Sequence, residues 1–252
     1  GTFNLLADSD AEIQSLAFGI SVGVAISGSA SAIAANATGA LSYNEIDNLV
    51  EATVFNTDPA GTASISSGGT ISVMASNDST IEAVATAASA SVSGSTSATA
   101  VSVAIGMALA HNTIETDVSA SLANIPSVQT DGGDLIVNAT DASEIDAATF
   151  AAAVSVAIGS GTSVGVAGGM SEATNIILSD TRAFIGNSEI GDDDHMVGNV
   201  DIDASSTGDI DAVVGAAAAS AAIGTNGVAV SVGIAVARNF IGWDPYGKEV
   251  VA

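Results

Sequence analysis

Apolar and small residues alternate along most of this chain. In the clearest run, Val228, Val230, Val232, Ile234 and Val236 share one parity, with Ala, Ser and Gly between them. Val101, Val103, Ile105, Met107 and Leu109 repeat the arrangement. Weaker versions run through Val164, Val166, Gly168, Met170 and Glu172, and through Ile33, Ala35, Ala37, Gly39 and Leu41. A period of two over about ten residues predicts a β-strand with one bulky and one small face. The β-branched residues, Gly and Ser in these runs argue against an Ala-rich helix. The Val/Ile parity is expected to form a dry core.

The pattern recurs. An Ala followed six residues later by Ile stands at Ala7/Ile13, Ala75/Ile81, Ala139/Ile145 and Ala204/Ile210, spaced by 68, 64 and 65 residues. Asn-x-Ile stands at Asn44/Ile46, Asn112/Ile114, Asn175/Ile177 and Asn239/Ile241, spaced by 68, 63 and 64. From first Ile to Asn the distance is 31, 31, 30 and 29 residues. Two anchors that keep step four times define an internal repeat. Each unit reads as four strands. One precedes a tight turn such as Ser160-Gly161-Thr162 or Thr225-Asn226-Gly227, and the alternating run follows it. A short strand such as Ala183-Phe184-Ile185 comes next, then a loop, then a strand such as Thr70-Ile71-Ser72-Val73 or Leu135-Ile136-Val137. The step from Asn to that last strand, 27, 23 or 25 residues, varies most, which puts length variation in surface loops at 55–69, 122–133 and 186–198.

A unit of this kind cannot bury two apolar faces alone, and stacking the copies covers them. The expected fold is all-β, a repetitive β-solenoid or stacked β-hairpin array with about four units of ~65 residues. The units are 1–74, 75–138, 139–203 and an incomplete 204–252, in one continuous elongated domain. Each unit is either one wide coil or about three narrow ones. In-register stacking would make a ladder of Asn44, Asn112, Asn175 and Asn239, whose amides satisfy one another between layers. Faces of Ala, Gly and Ser would bring sheets closer than the usual ~10 Å.

Composition narrows the function. Twenty-eight Asp and Glu against three Lys and Arg give a net charge of −25. That excludes a nucleic-acid binder, which displaces counterions with a basic surface. No Cys is present, so disulfides and thiolate sites are excluded. The segments 83–110 and 212–237 carry no charge and are long enough for a membrane helix, but they are poor in Leu and alternate at period two. A transmembrane barrel would need aromatic girdles, and aromatics are 4% of the chain. No membrane insertion is therefore expected. The start, Gly1-Thr2-Phe3-Asn4, has no Met or basic leader, which predicts a slice of a longer chain with any export signal outside it.

The pieces Val154-Ser155-Val156-Ala157-Ile158-Gly159, Ala173-Thr174-Asn175-Ile176-Ile177 and Gly133-Asp134-Leu135-Ile136-Val137-Asn138-Ala139 resemble the long β-strand repeats of giant bacterial surface proteins of the adhesin, haemagglutinin and leukotoxin-like kind. The resemblance spans essentially the whole chain. It implies export to the cell surface, a fibrous or stalk-like role, and no catalytic residues to carry over.

Candidate chemistry is sparse. Gly-x-Ser-x-Gly occurs at Gly19–Gly23 and Gly161–Gly165, inside Gly/Ser/Val alternation and away from the strand-turn-helix of a nucleophile elbow. His111 shares its repeat position with Tyr43, Thr174 and Arg238, as a solvated edge would. Asp192, Asp193 and Asp194, next to His195 in a variable loop, offer hard oxygen ligands and form the candidate calcium site. Asp117, Asp180 and Asp244 follow the repeat Asn by five residues and read as turn residues or an exposed acidic row. Asn36, Asn77 and Asn138 begin glycosylation sequons. Trp243 and Tyr246 are expected to cap the core.

The expected function is mechanical: a stiff segment of an extracellular filament or giant adhesin that self-associates end to end or laterally. The negative charge would sit on outer turns and loops, open to bridging by divalent cations. A stalk-borne module binding a cell surface or glycan through its variable loops is the second class. A β-helix enzyme acting on polysaccharide is the third, and it is disfavoured by having only Arg182, Arg238 and Lys248 as basic residues.

Overall fold

The computed structural model describes residues 1–57 and 63–247. These fold into ten strands and no helix: β1 Phe3–Ser27, β2 Ala32–Phe55, β3 Ser64–Ser67, β4 Ile71–Ser95, β5 Ala100–Ala123, β6 Ser127–Thr130, β7 Leu135–Gly159, β8 Thr162–Gly186, β9 Val200–Ile223 and β10 Asn226–Ile241. One sheet has the order β1-β4-β7-β9 and the other β10-β8-β5-β2, with every pairing parallel. Each circuit of the chain adds one strand to each sheet. The fold is a β-solenoid of four wide coils, one per repeat, and the choice between one wide and three narrow coils falls to the wide one.

The registers follow the sequence anchors. Ala7, Ala75, Ala139 and Ala204 are partners in successive strands, as are Ile13, Ile81, Ile145 and Ile210. Asn44, Asn112, Asn175 and Asn239 form the matching row in the other sheet.

The strands are longer than the pattern suggested. The predicted four per unit merge into two of 24 or 25 residues, roughly 80 Å each, with β10 shorter at 16. The polar stretches that read as breaks keep the alternation, and their inward side chains bond one another instead of ending the strand. The predicted tight turns also do different work. Ser160-Gly161 joins β7 to β8, and those strands lie in different sheets, so the turn is an arc between layers and not a hairpin within one.

That arc decides the packing. The link is two residues from β7 to β8 and from β9 to β10, and four from β1 to β2 and from β4 to β5, so the sheets are held close where the chain crosses. Only small side chains fit between them there. The core beside the arcs is Ala104, Ala153 and Ala167, and next to it Ala40, Ala85, Ala87, Ala108 and Ala151. Further from the arcs it widens to Ile46, Ile81, Ile114, Ile145 and Ile177, and then to Leu122, Leu135, Val118, Val128 and Val137. The far side is closed by β3 paired with β6 and by a bridge from Val128 to Ile190. The section is a wedge, thin at the arcs and thick opposite them.

The thin edge packs backbone against backbone. A Cβ on Gly106 would come within 2.7 Å of the Ala152 carbonyl oxygen in the facing sheet, and one on Gly169 within 2.8 Å of that of Ala217. Serine hydroxyls use the spare lone pairs of facing carbonyls: Ser91 donates to Ala34 (3.0 Å), Ser102 to Ser91 (2.8 Å) and Ser155 to Ser102 (2.8 Å).

The Val/Ile parity therefore points outward, reversing the expected dry core. Ile105, Met107, Val154 and Ile158 lie in central strands and are still 41–48% exposed. Alternation says that a strand has two faces, and the inter-sheet distance selects which one is inside. The charges are likewise not confined to turns and loops. Glu82, Glu144, Asp146 and Asp211 lie along the outer face of the first sheet, well within their strands.

Candidate functional site

In-register stacking converts each repeat position into a column of side chains, and the candidate sites are such columns. The deepest is the asparagine ladder. The Asn44 amide donates to Asn112 Oδ1 (2.7 Å), Asn112 to Asn175 (2.8 Å) and Asn175 to Asn239 (2.9 Å). Asn112 and Asn175 are fully buried, and Asn44 also donates to Ser42 Oγ (2.9 Å). Parallel strands at about 4.8 Å let one carboxamide reach the next without backbone adjustment.

A second polar column had no counterpart in the sequence reading. Asp141 points into the core of β7 and is 2% exposed. Its carboxylate accepts from the Asn77 amide (2.8 Å) and from the hydroxyls of Thr116 (3.1 Å), Ser143 (3.1 Å) and Ser206 (3.2 Å). Asn48 extends the network across the sheets to Asn77 Oδ1 and Ser79 Oγ, both at 3.2 Å. A buried carboxyl group is tolerated when donors surround it. The available signal was constant spacing: Ser9, Asn77, Asp141 and Ser206 each lie two residues after the anchoring Ala.

A third column sits at a corner. Asn124 and Asn187 hold left-handed backbone, with φ of 57° and 46°, and the Asn187 amide donates to Asn124 Oδ1 (2.8 Å). Asn tolerates this conformation better than other residues with a Cβ. Asn56, Asn124 and Asn187 each follow a ladder Asn by twelve residues, a third anchor available in the sequence.

Tyr43 stacks on His111 with ring centroids 5.1 Å apart, in one row with Thr174 and Arg238, and because Thr174 is buried the row is not solvated throughout. Asp117 and Asp180 are register partners inside β5 and β8, an outer row and not a turn. Arg182 bonds Asp180 through Nε (2.7 Å) and lies 3.7 Å from Asp117, and the Asp180 carboxylate raises its pKa further. Asp244 lies beyond β10 and accepts from the Tyr246 backbone N–H (2.7 Å), so it does serve a turn. Tyr246 lies against His111, and Trp243 makes an edge contact with Phe240.

Asp192, Asp193 and Asp194 are all exposed. Asp192 Oδ1 accepts from the backbone N–H groups of Asp194 (3.0 Å) and His195 (2.7 Å), and Oδ2 from Gln129 (2.6 Å). Those N–H groups hold its pKa below the ordinary value. Asp192 is thus turned back on its own loop, and among the described residues no three His, Cys, Asp or Glu converge as a metal-binding group. The first Gly-x-Ser-x-Gly match lies within β1 and the second runs from the arc residue Gly161 into β8, with Ser163 donating to the Ile223 carbonyl (2.8 Å). Of the sequon asparagines, Asn77 is buried and bonded. Lys248 and residues 58–62 of the first variable loop lie outside the described residues.

Compared with family models, curated proteins and solved structures, the chain matches none.

Proposed function

We propose that the chain is a structural segment of a bacterial extracellular filament or giant surface adhesin, and that its task is to form a stiff β-rich fibre. The observation that carries this reading is the stacking itself. Coil adds to coil with parallel, in-register pairing, and both ends of the stack present open strands, β1 and β2 at one end and β9 and β10 at the other. A further coil, from this chain's continuation or from another copy, meets the same ladder of backbone groups that the existing coils offer each other. The columns of Asn, Ile and Ala lose nothing on extension. Cross-strand hydrogen bonds then run along the fibre axis, the direction that carries tension between coils. Among the described residues, the loops on the third side are tied into the stack through β3, β6 and the Val128–Ile190 bridge, which suits a scaffold better than a set of free recognition loops.

Cryo-electron microscopy of the purified chain tests this. Filaments with an axial layer line near about 4.8 Å are expected. Dispersed single particles at all concentrations would count against a self-extending fibre.

A further inference from the structure

Exposed apolar residues occur on both halves of the blade, but only one half, which holds the longest rows of them, is free of charge. Between Glu12 and Glu45, Glu82 and Glu115, Asp146 and Glu172, and Asp211 and Arg238 the chain carries no Asp, Glu, Lys or Arg. Each of these segments is the stretch that runs into an arc and back out. The arc-side half of both sheets is therefore charge-free on its outer face, and the acidic residues occupy the other half.

We propose that the arc-side half of the β2-β5-β8-β10 sheet is a docking surface for the same surface on a second copy of this chain, the two blades lying antiparallel across a two-fold axis. Three observations select this occupant. The first is composition. Val103, Ile105 and Met107 of β5 continue sideways into Val166 and Met170 of β8 and Ile234 of β10, an aliphatic surface interrupted only at Gly168, against which Ile105 leans. At the corresponding height the other sheet has Ala88, Ala152 and Ala217 in register, a shallow row that rises only at Ile20 of the end strand β1.

The second is charge. Two blades stacked in the same direction would bring Glu115, Asp117 and Asp180 of one against those of the other. In the antiparallel arrangement only the uncharged halves overlap, and the acidic halves project to opposite sides, so a chain of net charge −25 can pair with itself.

The third is area. Four strands about 4.8 Å apart over about nine residues give a face of roughly 550 Å². A pair then buries about 1,100 Å², just above the ~1,000 Å² a specific interface needs. A lipid bilayer is the competing occupant, and the vesicle measurement below tests it.

This deepens the fibre reading by naming what lies beside the blade, and it rests on that reading only for chains meeting side by side. Sedimentation velocity of the whole chain over about 1–500 µM, at low salt and in about 0.5 M NaCl, tests it. A reversible dimer is expected, with a micromolar dissociation constant that tightens several-fold in salt as the acidic repulsion is screened. Ile105→Glu should weaken it at least tenfold while leaving the circular dichroism and melting temperature unchanged, because Ile105 faces outward. Val154→Glu, on the opposite sheet, should leave it intact. A chain that stays monomeric at every concentration, a dimer indifferent to I105E, or equal sensitivity to V154E overturns the proposal. So does partition into phosphatidylcholine vesicles that I105E abolishes and that replaces dimerisation. In micrographs the two readings separate. Filaments one blade wide sink lateral pairing alone, and paired particles that never elongate sink the fibre alone.

Discussion

Asn112 occupies the middle of the ladder, donating to one neighbour and accepting from the other with no exposed surface. Asn112→Ala strands the Asn44 amide on one side and the Asn175 carbonyl on the other. Each orphaned group costs about 1–3 kcal/mol, so the variant should lose about 2–5 kcal/mol in chemical denaturation. Loss below about 0.5 kcal/mol would mean that water or a neighbouring hydroxyl replaces the amide at little cost. Asp192 gives a pH test at the same scale. Its pKa is depressed by the N–H groups of His195 and Asp194. A carboxylate with a lowered folded pKa contributes stability that is present above its unfolded value and lost as pH falls through the folded one. The loop around it should therefore hold at neutral pH and loosen only below about pH 4. Amide shifts of Asp194 and His195 should titrate together, with a midpoint under the ordinary value of 3.8. A midpoint at or above that value contradicts the hydrogen bonds.

Within the strands, the wedge section makes neighbouring glycines unequal. Gly169 faces inward, where a Cβ would meet the Ala217 carbonyl at 2.8 Å, while Gly168 faces outward and meets only Ile105, at 4.0 Å. Gly169→Val should destabilise by about 2–3 kcal/mol or prevent folding, whereas Gly168→Ala should be neutral or slightly stabilising. Thermal melts of the two variants check this, and equal effects would place the sheets further apart than described. The same geometry explains what could be read from the sequence. The period-two runs and the paired anchors Ala/Ile and Asn-x-Ile were legible because in-register stacking repeats them at nearly constant distance. The inside of the strand was not legible. Val103 and Ala104 alternate equally well whichever faces in, and the choice is made by the short arcs, two or four residues long, that hold the sheets together. Strand length was hidden for a related reason. Asn77, Asp141 and Thr116 look like loop residues until the facing sheet supplies their partners.

Over the whole molecule, the same two facts, a thin Ala/Ser/Gly edge and a charge-free outer surface above it, define a blade with two unlike halves. The apolar residues that favour strands are displaced to the outside where the interior cannot hold them, and this leaves the charge-free surface proposed above as a pairing face. On the two proposals above, the open ends serve extension along the axis and the charge-free face serves pairing across it.

The central claim is that each repeat is one wide coil whose strands stack in register, and the absence of Cys makes it directly testable. Ala88 and Ala152 are register partners on the outer face of β4 and β7. In the double variant Ala88→Cys/Ala152→Cys, Cα atoms about 4.8 Å apart suit a disulfide. Mild oxidation should link the pair within one chain in nearly full yield. The shifted pair Ala88→Cys/Ala151→Cys places one thiol outside and one in the core, and it should stay reduced under the same conditions. Efficient linking of the shifted pair, or none in the registered pair of a folded protein, would contradict the one-coil register on which the account stands.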